Sequence, residues 1–232
     1  MKRFETHFIL IKKRSKLHCF KIFNQYHHVQ TVTASGFSDF RIRGSRFYGF
    51  LFACGSLQEA ESFLNSLKNE HPAATHHCYA WRINPNSPEE FSQDDGEPSG
   101  SAGLPILNTL RSRNLINCLL VSVRYYGGTK LGKKGLIDAY GSSAEQSIDD
   151  ARLASVIPVF QYKITYPYTM ESAISKLKND FPLVVIDATY LEEVEMTLAV
   201  PIDIHNSFRS VLSSLEHKLT HCTPLGESYR VE

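Results

Sequence analysis

The chain has 232 residues, 25 of them Lys or Arg and 24 Asp or Glu, for a net charge of +1. An apolar content of 42%, with 14 Phe and 11 Tyr, supplies a sizeable core and excludes a wholly disordered chain. No apolar run approaches the roughly 18–20 residues of a membrane helix, and five widely spaced cysteines without a CxxC argue against a disulfide framework or zinc ribbon.

Residues 1–30 show no clear period and carry seven Lys/Arg against one Glu, which reads as a basic extension. The apolar run Phe8–Ile11 is too short for a secretory leader, so the expected location is the cytoplasm. Thr31–Thr33, Phe40–Ile42 and Phe47–Cys54 then read as short antiparallel strands. Ser56 opens a helix with Glu59 three residues on, a capping box. Leu57, Ala60, Phe63, Leu64 and Leu67 form its apolar stripe. His77–Ile83 is the next strand. Asn84 to Gly103 reads as one long polar loop, of a length that in a compact domain is usually functional. Pro105 suits the first turn of a short helix bearing Ile106, Leu107 and Leu110. Cys118–Tyr126 is almost continuously apolar, as in a strand buried on both faces. Gly127-Gly128 ends it, and a helix follows from about Lys133 to Asp150.

Near Ser155–Pro158 the pattern resets. It continues as strand (Val159–Tyr166), helix (Met170–Asn179), strand (Leu183–Thr189), strand (Glu193–Val200), helix (Ile204–Leu219) and strand (Leu225–Val231). That βαββαβ order is ferredoxin-like. The expected architecture is α+β in two domains, 31–155 and 156–232, after the extension 1–30.

Three segments bear residues suited to chemistry. In His71–Trp81, His76, His77 and Cys78 resemble metal ligands by type, but neighbours on a strand point to opposite faces, so no metal site is expected. In Asp94–Leu107, the carboxylates Asp94, Asp95 and Glu97, beside Ser99, suit either magnesium binding and acid–base work or the holding of a Gly/Pro turn. Gly100–Gly103 before a helix is an anion-nest candidate without a Walker lysine. In Arg124–Gly135, Arg124, Tyr125, Tyr126, Lys130, Lys133 and Lys134 combine charge with stacking faces at a strand end entering a helix, as phosphate or nucleic-acid binding requires. The whole stretch 98–137 holds six basic residues and no acid. It is either an anion-binding surface or a face paired with acidic neighbours.

The phrases EHPAATHHCYAW, DDGEPSGSAGLPIL and VRYYGGTKLG, in this order, resemble the YigZ/IMPACT family, as does RGSRFYGF upstream. The resemblance covers about residues 31–232. The chain reads Leu131-Gly132-Lys133-Lys134-Gly135-Leu136 where the family commonly has L-G-x-G-G-L, which puts charge in place of a small residue. The resemblance implies an N-terminal domain like the second domain of a small-subunit ribosomal protein and the fourth domain of elongation factor G. The C-terminal domain would then be like that factor's ferredoxin-like fifth domain. Eukaryotic relatives restrain a starvation-responsive initiation-factor kinase by binding its ribosome-associated activator, partly through a separate N-terminal domain, so that partner does not transfer.

The reading with most support is a non-enzymatic protein that binds RNA or the ribosome, modulates translation or a stress response, and needs no cofactor. A protein partner in the translation machinery is the expected alternative to RNA. The rival is an enzyme acting on a phosphorylated or nucleotide substrate, which requires the acidic and basic loops to converge in one cleft.

Overall fold

The computed structural model describes residues 29–232. The basic extension expected over 1–30 therefore lies, except for its last two residues, outside the described residues. The described chain divides into two compact units, one running up to Val156 and the other starting at Ile157. The architecture is α+β throughout.

In the first unit the strands are β1 (Gln30–Ala34), β2 (Gly36–Ile42), β3 (Ser45–Ala53), β4 (His76–Ile83), β5 (Glu89–Gln93) and β6 (Cys118–Tyr125). The helices are α1 (Leu57–Glu70), α2 (Gly103–Ser112) and α3 (Gly132–Asp150). Five strands form an antiparallel sheet in the order β2-β3-β6-β4-β5. Central β6 is buried over its first seven residues, as its unbroken apolar run demands. One of its faces, with Leu120, packs with Ile106 and Leu110 of α2 and Tyr140, Ala144 and Ile148 of α3. The other, with Leu119, Val121 and Val123, packs with Ala60, Phe63, Leu64 and Leu67 of α1.

The stripe of α1 begins one turn later than the sequence pattern suggests, because Leu57, the helix's first residue, is 47% exposed. Its start is capped by Ser56 Oγ, which accepts from the Glu59 N–H, while Glu59 reaches back to the Gly55 N–H at 2.7 Å. Leu67 is fully packed at 3% exposure. Leu67→Ala should cost about 2–5 kcal/mol in urea unfolding. A loss under about 1 kcal/mol would show that this helix is not anchored through its stripe.

The loop expected from Asn84 to Gly103 contains a strand, β5. Its sequence, Glu-Glu-Phe-Ser-Gln, carries one apolar residue and is largely exposed. It exists because β4 offers it a free edge, with Trp81 opposite Phe91. α3 lies against β2 and β3 through small residues. A Cβ on Gly49 would lie 2.2 Å from Ser147 Oγ and one on Gly36 would lie 1.9 Å from the Ser147 carbonyl, so both positions require glycine.

The second unit contains β7 (Arg152–Tyr166, which begins in the first unit), α4 (Glu171–Asp180), β8 (Val184–Tyr190), β9 (Val194–Pro201), α5 (His205–Leu215) and β10 (His221–Val231). Strand order β10-β7-β9-β8 is the ferredoxin-like arrangement that the βαββαβ pattern predicts. Tyr162, Ile164, Tyr166, Met196 and Leu198 face Ile174, Leu177, Phe208 and Leu212. The sheets are not partitioned by a loop at Ser155–Pro158 as the change of pattern suggests. Residues 152–155 of β7 pair with β1, and 159–166 pair with β9. Pro158, which has no N–H to give, falls between the two ladders and accepts from the Ile202 N–H. No described helix is long and apolar enough to cross a membrane.

Candidate functional site

The acidic and basic loops meet at one end of the first unit, and their charges are used very differently. Asp94 closes the glycine nest before α2 from within. Its Oδ2 accepts from the Gly100 N–H at 2.8 Å, and its Oδ1 accepts from those of Ala102 and Gly103 at 3.0 and 2.9 Å. The anion this nest holds is therefore part of the chain. Burial pushes the Asp94 carboxyl up, but the donors from Gly100, Gly103 and Ala102 outweigh it and nearby Lys133 adds to them, so its pKa lies below the usual aspartate value.

Asp95 adopts a left-handed conformation (φ 44°) and turns back onto β4. Its Oδ2 accepts from the His77 N–H at 2.6 Å, and its carbonyl bonds His76 Nδ1 at 2.8 Å. The Asp94 carbonyl accepts from the Cys78 thiol at 3.0 Å. Asp94 and Asp95 are thus both engaged in holding the turn. Ser99 is exposed. Alternation on β4 sets His76 opposite Arg124 and His77 opposite Val123, on opposite faces of the sheet. Among the described residues His77 Nε2 is buried without a hydrogen-bond partner, and burial lowers its pKa. Among the described residues no group of three or more His, Cys, Asp or Glu side chains is arranged to hold a metal ion.

Glu97 and Arg124 join the two loops. The sequence places Arg124 among solvent-facing phosphate ligands. In the structure it is 4% exposed and its Nη1 donates to Glu97 Oε1 at 2.5 Å. Its other terminal nitrogen donates to Ser45 Oγ at 3.2 Å. The guanidinium lies 5.4 Å from the ring centres of both Phe47 and Tyr126. Position 124 falls on the α3-facing side of β6, so its charge had to be neutralised internally. The same Glu97 oxygen accepts from the Tyr140 hydroxyl at 2.8 Å and lies 3.8 Å from His76 Nε2. Nothing local to the sequence pointed to Ser45 or Tyr140 as partners, because each reads as part of a strand or helix pattern.

Tyr125 is half-buried and its hydroxyl bonds His71 Nδ1 at 2.9 Å. Tyr126 follows it on the opposite side and is 45% exposed, resting on Arg124. Gly127 must be glycine. A Cβ there would lie 1.9 Å from the Gly44 carbonyl carbon, and its N–H donates to Ser45 Oγ at 3.2 Å. The loop that follows exposes Lys130, Lys133 and Lys134. Of the six basic residues in the acid-free stretch, the three arginines are paired: Arg111 with Glu90, Arg113 with Glu145 and Asp149, Arg124 with Glu97. The three lysines pair with no carboxylate among the described residues.

The model of the Impact N-terminal domain matches residues 43–148, a span holding both loops and Arg124. YvyE of Bacillus subtilis, an IMPACT family member, is 33% identical over 189 residues, covering 82% of this chain and 87% of the relative. The chain belongs to the IMPACT family. YigZ of Escherichia coli, another member, is 34% identical over 69% of this chain and 79% of its own length. The crystal structure of a hypothetical protein matches with a TM-score of 0.57 at 29% identity, over 85% of this chain and 96% of that one. Within the matched span a buried Glu97–Arg124–Tyr140 knot adjoins an exposed lysine loop.

Proposed function

We propose that this IMPACT-family protein is a non-enzymatic, cytoplasmic regulator of translation that holds RNA, free or in the ribosome, by its phosphates at the loop 126–134. One observation carries the reading. Lys133 and Lys134 stand in the first turn of α3, whose N-terminus has no acidic residue and no side-chain cap. Cations there oppose the helix dipole at about 0.3–1 kcal/mol each, and the free backbone N–H groups add to the local positive potential. A bound phosphate relieves both, and exposed Tyr126 beside it offers a ring on which a base can stack.

The lysine-to-alanine triple variant at 130, 133 and 134 tests this in two directions. Its thermal midpoint should equal or exceed that of the parent, since the dipole conflict is gone. Its affinity for single-stranded RNA should fall, with the salt slope reduced by about two, at roughly 0.7 per contact. Co-sedimentation with ribosomes should weaken in parallel. Retention of both at low salt would reject the nucleic-acid reading in favour of a protein partner in the translation machinery. The meeting of the two loops is what favours the enzyme reading, but Asp94, Asp95 and Glu97 are all engaged in holding the fold, so that reading lacks an unengaged carboxylate from this set.

A further inference from the structure

Beside the lysine loop stands the β2–β3 hairpin, whose two-residue turn is Arg43-Gly44 between the paired residues Ile42 and Ser45. Both turn residues are left-handed, with φ of 46° and 84°, the conformation that hairpins of this length require. Asn, Asp or Gly is the usual residue at the first position, because the Cβ of an L-residue is strained there and Asn or Asp offsets the strain with a local hydrogen bond. Arg43 is exposed, as is Arg41 two residues earlier. Neither pairs with a carboxylate among the described residues. Asp39, whose carboxyl feels the charge of Arg41, gives both its oxygens to Arg46.

The turn is fixed against the lysine loop by backbone. The Gly44 and Gly127 main chains touch so closely that neither could carry a Cβ, and Ser45 Oγ accepts both from the Gly127 N–H and from Arg124. Two segments about 85 residues apart in sequence therefore present five cations, Arg41, Arg43, Lys130, Lys133 and Lys134, at one end of the sheet. Two of the positions, the turn and the helix start, disfavour them locally. Such local conflicts concentrate where a ligand repays them.

We propose that the β2–β3 hairpin is a second arm of the RNA contact, with Arg41 and Arg43 taking phosphates of the same strand that the lysine loop holds. This rests on the function proposed above and extends it to a site across the Gly44–Gly127 contact.

The experiment measures binding of fluorescein-labelled oligouridylate to the full chain across a salt series. R41Q/R43Q should lower affinity several-fold at low salt and reduce the salt slope by about 1 to 1.5, whereas R41K/R43K should restore most of it. K176Q/K218Q, which removes the same charge from exposed positions in the second unit, should change the slope far less. Combining R41Q/R43Q with the lysine variant should sum the two slope changes. An unchanged slope in R41Q/R43Q, with the lysine variant impaired, overturns the hairpin arm alone. Equal effects of R41Q/R43Q and K176Q/K218Q also overturn it, as a matter of net charge. A parent that does not bind the oligonucleotide overturns both the arm and the reading on which it rests.

Discussion

Replacing Arg124 by methionine should destabilise the protein by about 3–5 kcal/mol. The loss comes from what remains. Glu97 is 9% exposed, and without Arg124 its charge is left in a site where, among the described residues, only the Tyr140 hydroxyl donates to it at close range. Glu97→Gln should be costly for the mirror reason, since it strands the guanidinium between Phe47 and Tyr126. The double variant R124M/E97Q should cost clearly less than the sum of the two, because each single change penalises the partner it leaves behind. Additivity within about 0.5 kcal/mol in urea unfolding would mean that the pair is not coupled as the geometry requires. Because Tyr126 rests on this guanidinium, the function proposed above further requires R124M to bind RNA more weakly in the folded population.

Replacing Asp94 by asparagine should cost about 2–4 kcal/mol at neutral pH, through the weakening of three charge-assisted bonds to backbone N–H groups and the conflict of an amide donor with one of them. The sign of its pH dependence follows from the lowered carboxyl. The unfolded chain takes up the Asp94 proton first as pH falls, near 3.9, and the folded one later. The stability Asp94 contributes is therefore complete above about pH 4–5 and is lost as pH drops through its folded value. The gap between parent and D94N should close over that acid range. A gap that stays constant into the acid transition would show that the ionised form is not what holds the nest. His77, whose pKa burial lowers, acts in the same direction at higher pH. Stability it supports when neutral begins to be lost as pH falls below about 6.5.

Much of this architecture is legible in the chain because local patterns and burial agree. The unbroken apolar run of β6 required cover on both faces, and it has α1 on one and α2 and α3 on the other. The βαββαβ order after Pro158 returned the ferredoxin-like sheet. Where a segment's structure is supplied by its neighbour, the pattern fails. β5 is polar and forms only on the edge of β4, and β7 continues through a proline because separate ladders serve its two ends.

The family, the α+β class and a forty-residue stretch with six cations and no acid can all be read directly along the chain. Which of those cations are neutralised depends on packing. Arg111, Arg113 and Arg124 find carboxylates at positions 90, 145, 149 and 97, partners set by strand pairing and helix packing rather than by proximity along the chain. Lys130, Lys133 and Lys134 are left exposed without such partners among the described residues. The turn bearing Arg43 joins them because Gly44 and Gly127 let two backbones touch. The physical reason is range. Hydrophobic period is a local property that a sequence displays directly, whereas the neutralisation of a charge depends on which distant atoms lie within a few ångströms of it, and that is settled only by the packed fold.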